Sequence, residues 1–169
     1  LGRVANVSGY GLEELGVPYA VHPVDIENGA QFAPDFLAIS PNNKIPAIRD
    51  SATGFTLMES GAILMWLAER HMRFLPPGEE RWRTIEWLMW QMSGFGPMIG
   101  QAHHFLYPSR GKSAYAEERY AKEAQRLYGV LDTRLRDRDF VAGAGRGEYT
   151  IADMAIWPWV ARFERHEVD

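Results

Sequence analysis

The stretch Pro76-Pro77-Gly78-Glu79-Glu80 separates two halves of this chain that follow different periodicities. Two prolines and a glycine remove backbone donors and favour turn conformations, so neither a helix nor a strand is expected to run through them. We read residues 1–75 as one domain, 76–80 as a linker and 81–169 as a second domain. In the first half, Leu12-Glu13-Glu14-Leu15-Gly16 reads as a helix end, with Gly16 in the left-handed C′ position. Gly9 and Gly11 each cost that helix about 1 kcal/mol against alanine, which makes it a weak element. Tyr19, Val21 and Val24 fit a strand that Pro23 pushes to a sheet edge. Ile45 to Ile48 and Phe55 to Met58 are short apolar runs flanking Asp50-Ser51-Ala52-Thr53-Gly54, the spacing of an antiparallel hairpin. Ser60 then begins and caps a helix with Ile63, Leu64, Leu67, Ala68 and His71 on its inner face.

The second half is helical throughout. Ile85, Leu88, Met89 and Met92 form one stripe on a helix from Trp82 to Met92, which Gly94, Gly96 and Pro97 kink or end. A long helix from Tyr115 to Arg136 carries Tyr120, Ala124, Leu127, Tyr128, Leu131 and Leu135 on one face. Thr150-Ile151-Ala152-Asp153 is an N-cap with an acid three residues on, the aspartate form of a capping box. Pattern alone therefore supports an α/β domain followed by an all-α one.

Bulk properties narrow the function by exclusion. A net charge of −4 over 169 residues offers no basic footprint for nucleic acid. No apolar run reaches the roughly 20 residues that cross a bilayer, and no signal segment is visible, which favours the cytosol. The chain has no cysteine, so disulfides, thiolate metal sites and a protein-thiol nucleophile are all absent. Any thiol chemistry must use a ligand's thiol. Adjacent His103 and His104 point about 100° apart on a helix and have no third partner at helical spacing, so they read as core or pocket lining rather than a metal site. The six tryptophans, Trp87, Trp90, Trp157 and Trp159 among them, are expected in the core and between the domains.

The pattern around Ser40-Pro41-Asn42-Asn43-Lys44-Ile45-Pro46-Ala47-Ile48 carries more. Proline cannot donate to a sheet ladder, so Pro46 belongs at a strand start. X-Pro bonds alone adopt cis cheaply. A cis Ile45-Pro46 bond would turn the Ile45 backbone outward as donor and acceptor, and Ser60-Gly61 would aim a helix N-terminus at an anion. Taken singly, a proline-initiated strand and a serine-started helix are ordinary punctuation.

In combination these residues resemble the glutathione site of the glutathione S-transferases, nearest the bacterial nu class and its fungal nitrogen-regulator relatives. The resemblance also covers Gln31-Phe32, Glu59 to Glu69, Trp87 to Phe105, Glu118-Arg119-Tyr120 and Tyr149 to Trp159. It implies a thioredoxin-like N-terminal domain and an all-α C-terminal domain, usually in a homodimer. It further implies that Ile45 and Pro46 pair backbone with the cysteinyl unit of glutathione, that Glu59 meets the γ-glutamyl ammonium and that Ser60 takes the γ-glutamyl carboxylate. Gln31 and Lys44 would serve the glycyl end. Arg119 would help hold a second glutathione; a plain surface pair with Glu123 at i+4 is its other reading.

The resemblance stops at the residues that would activate sulfur. Nu-class proteins begin with a β-strand and a Thr-Pro-Asn-Gly loop whose threonine and asparagine bond the glutathione sulfur. Here Leu1 to Ser8 does not match that loop, and Asn6, Ser8 and Tyr10 are expected within the first helix, so no catalytic residue is assigned. The chain also stops at Asp169, where relatives continue with further helices. We therefore expect an N-terminal domain lacking its first strand and a shortened helical domain. The resemblance implies use of a bound glutathione thiolate against a small disulfide or electrophile, with no metal, nucleic acid or membrane partner. The alternative is a glutathione-binding or regulatory module without turnover.

Overall fold

Two units, Leu1–Arg73 and Phe74–Asp169, make up the chain in the computed structural model. The structure describes residues 3–168, with side chains from Val7 onward. Leu1, Gly2 and Asp169, and the side chain of Asn6, lie outside it.

In the first unit, helix α1 spans Arg3–Leu15 and closes on Gly16, whose φ of 67° is the left-handed C′ conformation expected. The glycines that weaken this helix have a packing use. A Cβ on Gly11 would lie 2.8 Å from Leu64 Cδ2 and 3.6 Å from Leu67 Cδ1, so the missing side chain lets α1 rest directly on the helix that carries those leucines. That helix, α3 (Ser60–His71), buries Ile63, Leu64, Leu67 and Ala68, all at 4% exposure or less. His71, expected on the same face, is instead exposed at the last turn, where a basic side chain suits the negative end of the helix dipole.

Between α1 and α3 run a single 3-10 turn at Ala30–Phe32, the short helix α2 (Pro34–Leu37), and strands β1 (Ala47–Arg49) and β2 (Thr56–Met58). The strands pair antiparallel with Ala47 opposite Met58 and Arg49 opposite Thr56, the hairpin that the spacing predicts. Asp50 organises its turn. Its side chain accepts the Ala52 N–H at 2.9 Å and its carbonyl the Gly54 N–H at 2.8 Å. Asp50 also meets Arg70 of α3 at 2.9 Å. The Ala52 N–H, then the Thr53 side chain and Arg70, hold the Asp50 carboxyl below its ordinary value. The expected strand at Tyr19, Val21 and Val24 does not form; residues 17–25 are irregular, with Tyr19 and Val21 exposed. Pro18 and Pro23 supply no N–H, and no described strand lies beside the segment to complete a ladder. The two-stranded sheet with its flanking helices is the part of a thioredoxin-like architecture that the described residues contain.

The second unit begins its helices at α4 (Glu79–Trp90), with Glu79 and Glu80 in the first turn, where acids suit the dipole. A π-turn at Gln91–Phe95 interrupts the path before α5 (Gly96–Leu106), at the Gly94-Gly96-Pro97 break. Cβ atoms on Gly96 and Gly100 would come within 3.2 and 3.4 Å of the Trp159 indole, so this pair of glycines makes room for Trp159 against α5. Leu88 is buried on α4 but Met89 is 44% exposed, because the buried stripe runs through Thr84, Leu88 and Gln91 instead. Trp82 and Trp157 are likewise exposed, at 67% and 56%, contrary to a core role.

Helix α6 (Ala114–Leu135) starts on Ser113, whose Oγ accepts the Ala116 N–H, and buries Ala124, Leu127 and Leu131. Its Tyr128 hydroxyl lies 2.9 Å from His166 Nδ1, and burial pushes the phenol up to about 12. Folding thus favours the neutral phenol. The contribution is complete below pH 10, the ordinary tyrosine value, and is lost as pH rises through about 12. An alkaline denaturation series should show this loss in the native protein and a flatter curve in Tyr128→Phe.

Helix α7 (Ile151–Val160) is fixed at its start by the expected capping box. Asp153 accepts the Thr150 N–H at 2.9 Å, the Thr150 hydroxyl at 3.0 Å and, from outside the helix, the Val141 N–H at 3.0 Å. Burial pushes its carboxyl up against the pull of these donors. Asp153→Ala should cost about 2–3 kcal/mol in a denaturant titration, since it orphans three donors in a largely buried place.

Candidate ligand site

Chain geometry around the hairpin brings one group of the expected residues together. The Ile45-Pro46 peptide bond is cis. Pro46 directly precedes β1, where its missing N–H costs the ladder nothing. Ala47 pairs with Met58 at one end of the antiparallel hairpin, so the chain enters that end through Ile45-Pro46 and leaves it through Glu59-Ser60. The Ile45 N–H and C=O make no hydrogen bond to a described residue, so one backbone donor and one acceptor stand beside the start of α3.

Ser40, buried to 1% exposure, is the residue that holds this arrangement, and its role was not evident from the sequence. Its carbonyl accepts the Asn43 N–H at 2.8 Å, and its hydroxyl donates to the Lys44 carbonyl at 2.7 Å. The same hydroxyl is 4.0 Å from Met58 Sδ on β2. One buried side chain therefore ties the loop entering Ile45 to the strand leading into Glu59. Lys44 itself is exposed, with its side chain directed to solvent.

The helix start differs from expectation in one respect. Ser60 is the first helical residue, not the cap; Glu59 holds the cap position with φ 71° and ψ 117° and makes no side-chain cap bond. A long carboxylate in that conformation does not fold back onto the helix N–H groups as a serine cap would. Positive φ in a non-glycine residue costs on the order of 1–3 kcal/mol and persists only where its surroundings impose it. The exposed carboxylate of Glu59 and the buried Ser60, at 4%, thus sit at adjacent positions, one suited to a cation and the other at the positive end of a helix.

Gln31 lies in the 3-10 turn at Ala30–Phe32, and its Oε1 is buried with no hydrogen-bond partner among described residues. A buried acceptor without a donor calls for an occupant. Of the residues near the expected sulfur, Ser8 and Tyr10 fall within α1, and Ser8 is buried at 3% with its Oγ lacking a partner among the described residues. Ser8 is therefore closed to a ligand.

In the second unit, Arg119 lines a cavity of about 550 Å³ with Met98, Tyr115, Tyr120 and Glu123. The expected pair with Glu123 is not made. Glu123 instead takes Arg126 in a two-pronged contact at 2.7 and 2.8 Å, which holds its carboxyl low, and Arg119 forms no ion pair with a described residue. His103 is buried, 5.6 Å from the Tyr107 ring and 5.9 Å from that of His166, while His104 is exposed with Nε2 3.2 Å from Ser109 Oγ. Among the described residues, no three His, Cys, Asp or Glu side chains converge as a metal site would require. No described helix is long and apolar enough to cross a membrane.

Comparison with known proteins gives a consistent set of matches. Residues 9–70 match the family model for the glutathione S-transferase N-terminal domain, and residues 114–166 that for the C-terminal domain. The chain is 47% identical over 164 residues to the disulfide-bond oxidoreductase YfcG of Escherichia coli, covering 94% of this chain and 75% of that protein. It is 43% identical to the disulfide-bond oxidoreductase YghU of the same organism, over 88% of this chain and 54% of the relative. A crystal structure of a glutathione transferase from Pseudomonas putida, with one glutathione disulfide bound per subunit, superposes with a TM-score of 0.84 at 40% identity. That match covers 97% of this chain and 72% of the solved one.

Proposed function

This chain belongs to the glutathione S-transferase family, and on that footing we propose that it binds glutathione and uses the bound thiolate to reduce small disulfides. The observation that carries the reading is the Ile45 backbone, without a hydrogen bond to a described residue, at the same end of the hairpin as the start of α3 and a Glu59 held at positive φ. Ile45 and Pro46 offer an antiparallel backbone edge to the cysteinyl unit. Glu59 takes the γ-glutamyl ammonium, and the Ser60 end of α3 takes the γ-glutamyl carboxylate. Gln31 offers its orphaned oxygen to the glycyl amide, and Lys44 its charge to the glycyl carboxylate. Arg119, which makes no close ion pair with a described residue, serves a second glutathione.

Because the chain has no cysteine, every sulfur in the reaction belongs to a ligand. The glutathione thiolate attacks one sulfur of the disulfide; a new S–S bond forms and the other half leaves as a thiolate, which takes up a proton. A second glutathione thiolate then attacks the glutathione sulfur of this mixed disulfide. Glutathione disulfide and the second thiol depart, so two thiols are oxidised for the one disulfide reduced. The protein contributes position and charge. Such a cycle draws on a reduced glutathione pool, which supports a cytosolic assignment. Exposed Trp82 and Met89 give the helical unit apolar surface for a second copy, and we assign a homodimer.

A second reading, a glutathione-binding module without turnover, draws on α1: Ser8 is buried there, and no described group in that helix is placed to favour a thiolate. A glutathione titration beside a turnover assay with 2-hydroxyethyl disulfide separates the two. We expect binding with turnover. Binding alone would leave the module, and no binding would overturn both.

A further inference from the structure

Asn28 is the chain's one asparagine followed by glycine, and it occupies an exposed turn that leads directly into Gln31. Asp25 fastens that turn. Its carboxylate accepts the Asn28 Nδ2–H at 2.7 Å and the Asn28 backbone N–H at 3.2 Å, and its carbonyl accepts the Ala30 N–H at 2.9 Å. Gly29 follows at φ 81°, and its own N–H donates to no described residue. A Cβ there would meet only Phe32, at 3.8 Å, so the turn is open on that side.

We propose that Asn28–Gly29 is a site of spontaneous deamidation whose conversion unfastens the turn carrying Gln31. The backbone nitrogen of Gly29 attacks Asn28 Cγ, forming an N–Cγ bond. The Cγ–Nδ2 bond breaks, and ammonia leaves with the proton that the glycine nitrogen gives up. Water then opens the resulting succinimide. Cleavage of the N–Cγ bond yields aspartate, and cleavage on the main-chain carbonyl side yields isoaspartate; no oxidant or reductant takes part. Glycine favours the first step because it lacks a side chain to shield its nitrogen, and this nitrogen has no hydrogen bond to give up. The side-chain clasp is solvent-exposed, so it opens readily and lets Cγ reach the nitrogen.

The product reverses the local electrostatics. At present the Asn28 amide is the leading cause that holds the Asp25 carboxyl below its ordinary value. After conversion, a carboxylate faces Asp25 where a donor stood, and like charges repel. In isoaspartate the main chain is also one carbon longer, which displaces the Ala30 N–H from the Asp25 carbonyl. Both products loosen the entry to the Ala30–Phe32 turn. The consequence for glutathione rests on the function proposed above; the modification does not.

The full chain, incubated warm at mildly alkaline pH and mapped by tandem mass spectrometry, tests the first step. Acid and isoaspartyl products are expected at Asn28 ahead of Asn42 and Asn43, and Asn28→Gln should stay unmodified at that position. Modification at Asn28 no faster than at Asn42 and Asn43 would overturn the site. Hydrogen exchange tests the unfastening. Asn28→Asp should exchange faster across residues 26–32, and an unchanged rate would overturn that step. Glutathione affinity of Asn28→Asp should fall about two- to fivefold, the scale of one exposed charged contact. Faster exchange with unchanged affinity would overturn the link to Gln31. Loss of all glutathione binding in the native chain would instead count against the proposed function, with mass and exchange still deciding this proposal.

Discussion

Glu59→Gly is expected to stabilise the N-terminal unit by about 1 kcal/mol and to weaken glutathione binding about tenfold. The opposite signs follow from one residue. Glycine adopts φ near 71° without a Cβ penalty, so the substitution relieves backbone strain. It also removes the carboxylate proposed to face the γ-glutamyl ammonium in a charge-assisted contact. Adding Ser60→Ala should bring the loss to about a hundredfold, because Ser60 is buried and its hydroxyl is the group proposed to take the γ-glutamyl carboxylate. Denaturant titration and calorimetry read the two effects separately. A Glu59→Gly protein that gains stability and keeps its affinity would remove Glu59 from the site and leave its conformation unexplained.

Gly147→Ala should cost about 3 kcal/mol or more, a large stability effect for a single methyl. Gly147 has φ 97°, and a Cβ there would sit 2.6 Å from the Phe140 carbonyl oxygen and 2.9 Å from that of Ala142. Both obstacles are backbone and cannot rotate away. The same loop is knitted together by Arg138, which donates to the Phe140 carbonyl at 3.2 Å and the Gly145 carbonyl at 2.8 Å. It also delivers the Val141 N–H to Asp153, so a displaced loop loosens the start of α7. Gly145→Ala is the control. Its φ of 57° is also positive, but nothing lies within 4 Å of the added Cβ, and the loss should be about 1 kcal/mol. Equal losses at the two positions would show that close approach plays no part.

The hairpin, the capping box and the cis Ile45-Pro46 bond were legible in the sequence because each depends on residues within a few positions. Proline fixes where β1 can begin, and threonine with aspartate closes a helix end regardless of distant packing. The segment 17–25 was not legible in the same way. Its β-branched and aromatic residues fit a strand, but a strand exists only with a neighbour to pair with, and none is described beside it. Met89 and Trp157 show a similar limit. Both are apolar at helical spacing, yet which side of a helix is buried depends on the elements packed against it.

Within the candidate site, residue types were legible and conformations were not. Glutamate and serine before an apolar helix suggest a cation partner and an anion partner. The exchange of roles, with Glu59 at the cap and Ser60 inside the helix, is visible only in the backbone. Ser40 is a further case, since its link to Met58 spans 18 positions. At Arg119 the sequence offered Glu123 at i+4 as a partner, but Arg126 at i+3 takes that carboxylate through two nitrogens, and Arg119 acts on it only through its charge from farther away.

The claim that glutathione is held between the Ile45 backbone and the start of α3 is tested most directly by amide-resolved NMR during a glutathione titration. The account predicts saturable shifts led by the Ile45, Ser60 and Gly61 amides, with the Gln31 side-chain amide following at the same midpoint. Binding that leaves those amides unmoved, or that centres its shifts outside the hairpin and the first turn of α3, would contradict it.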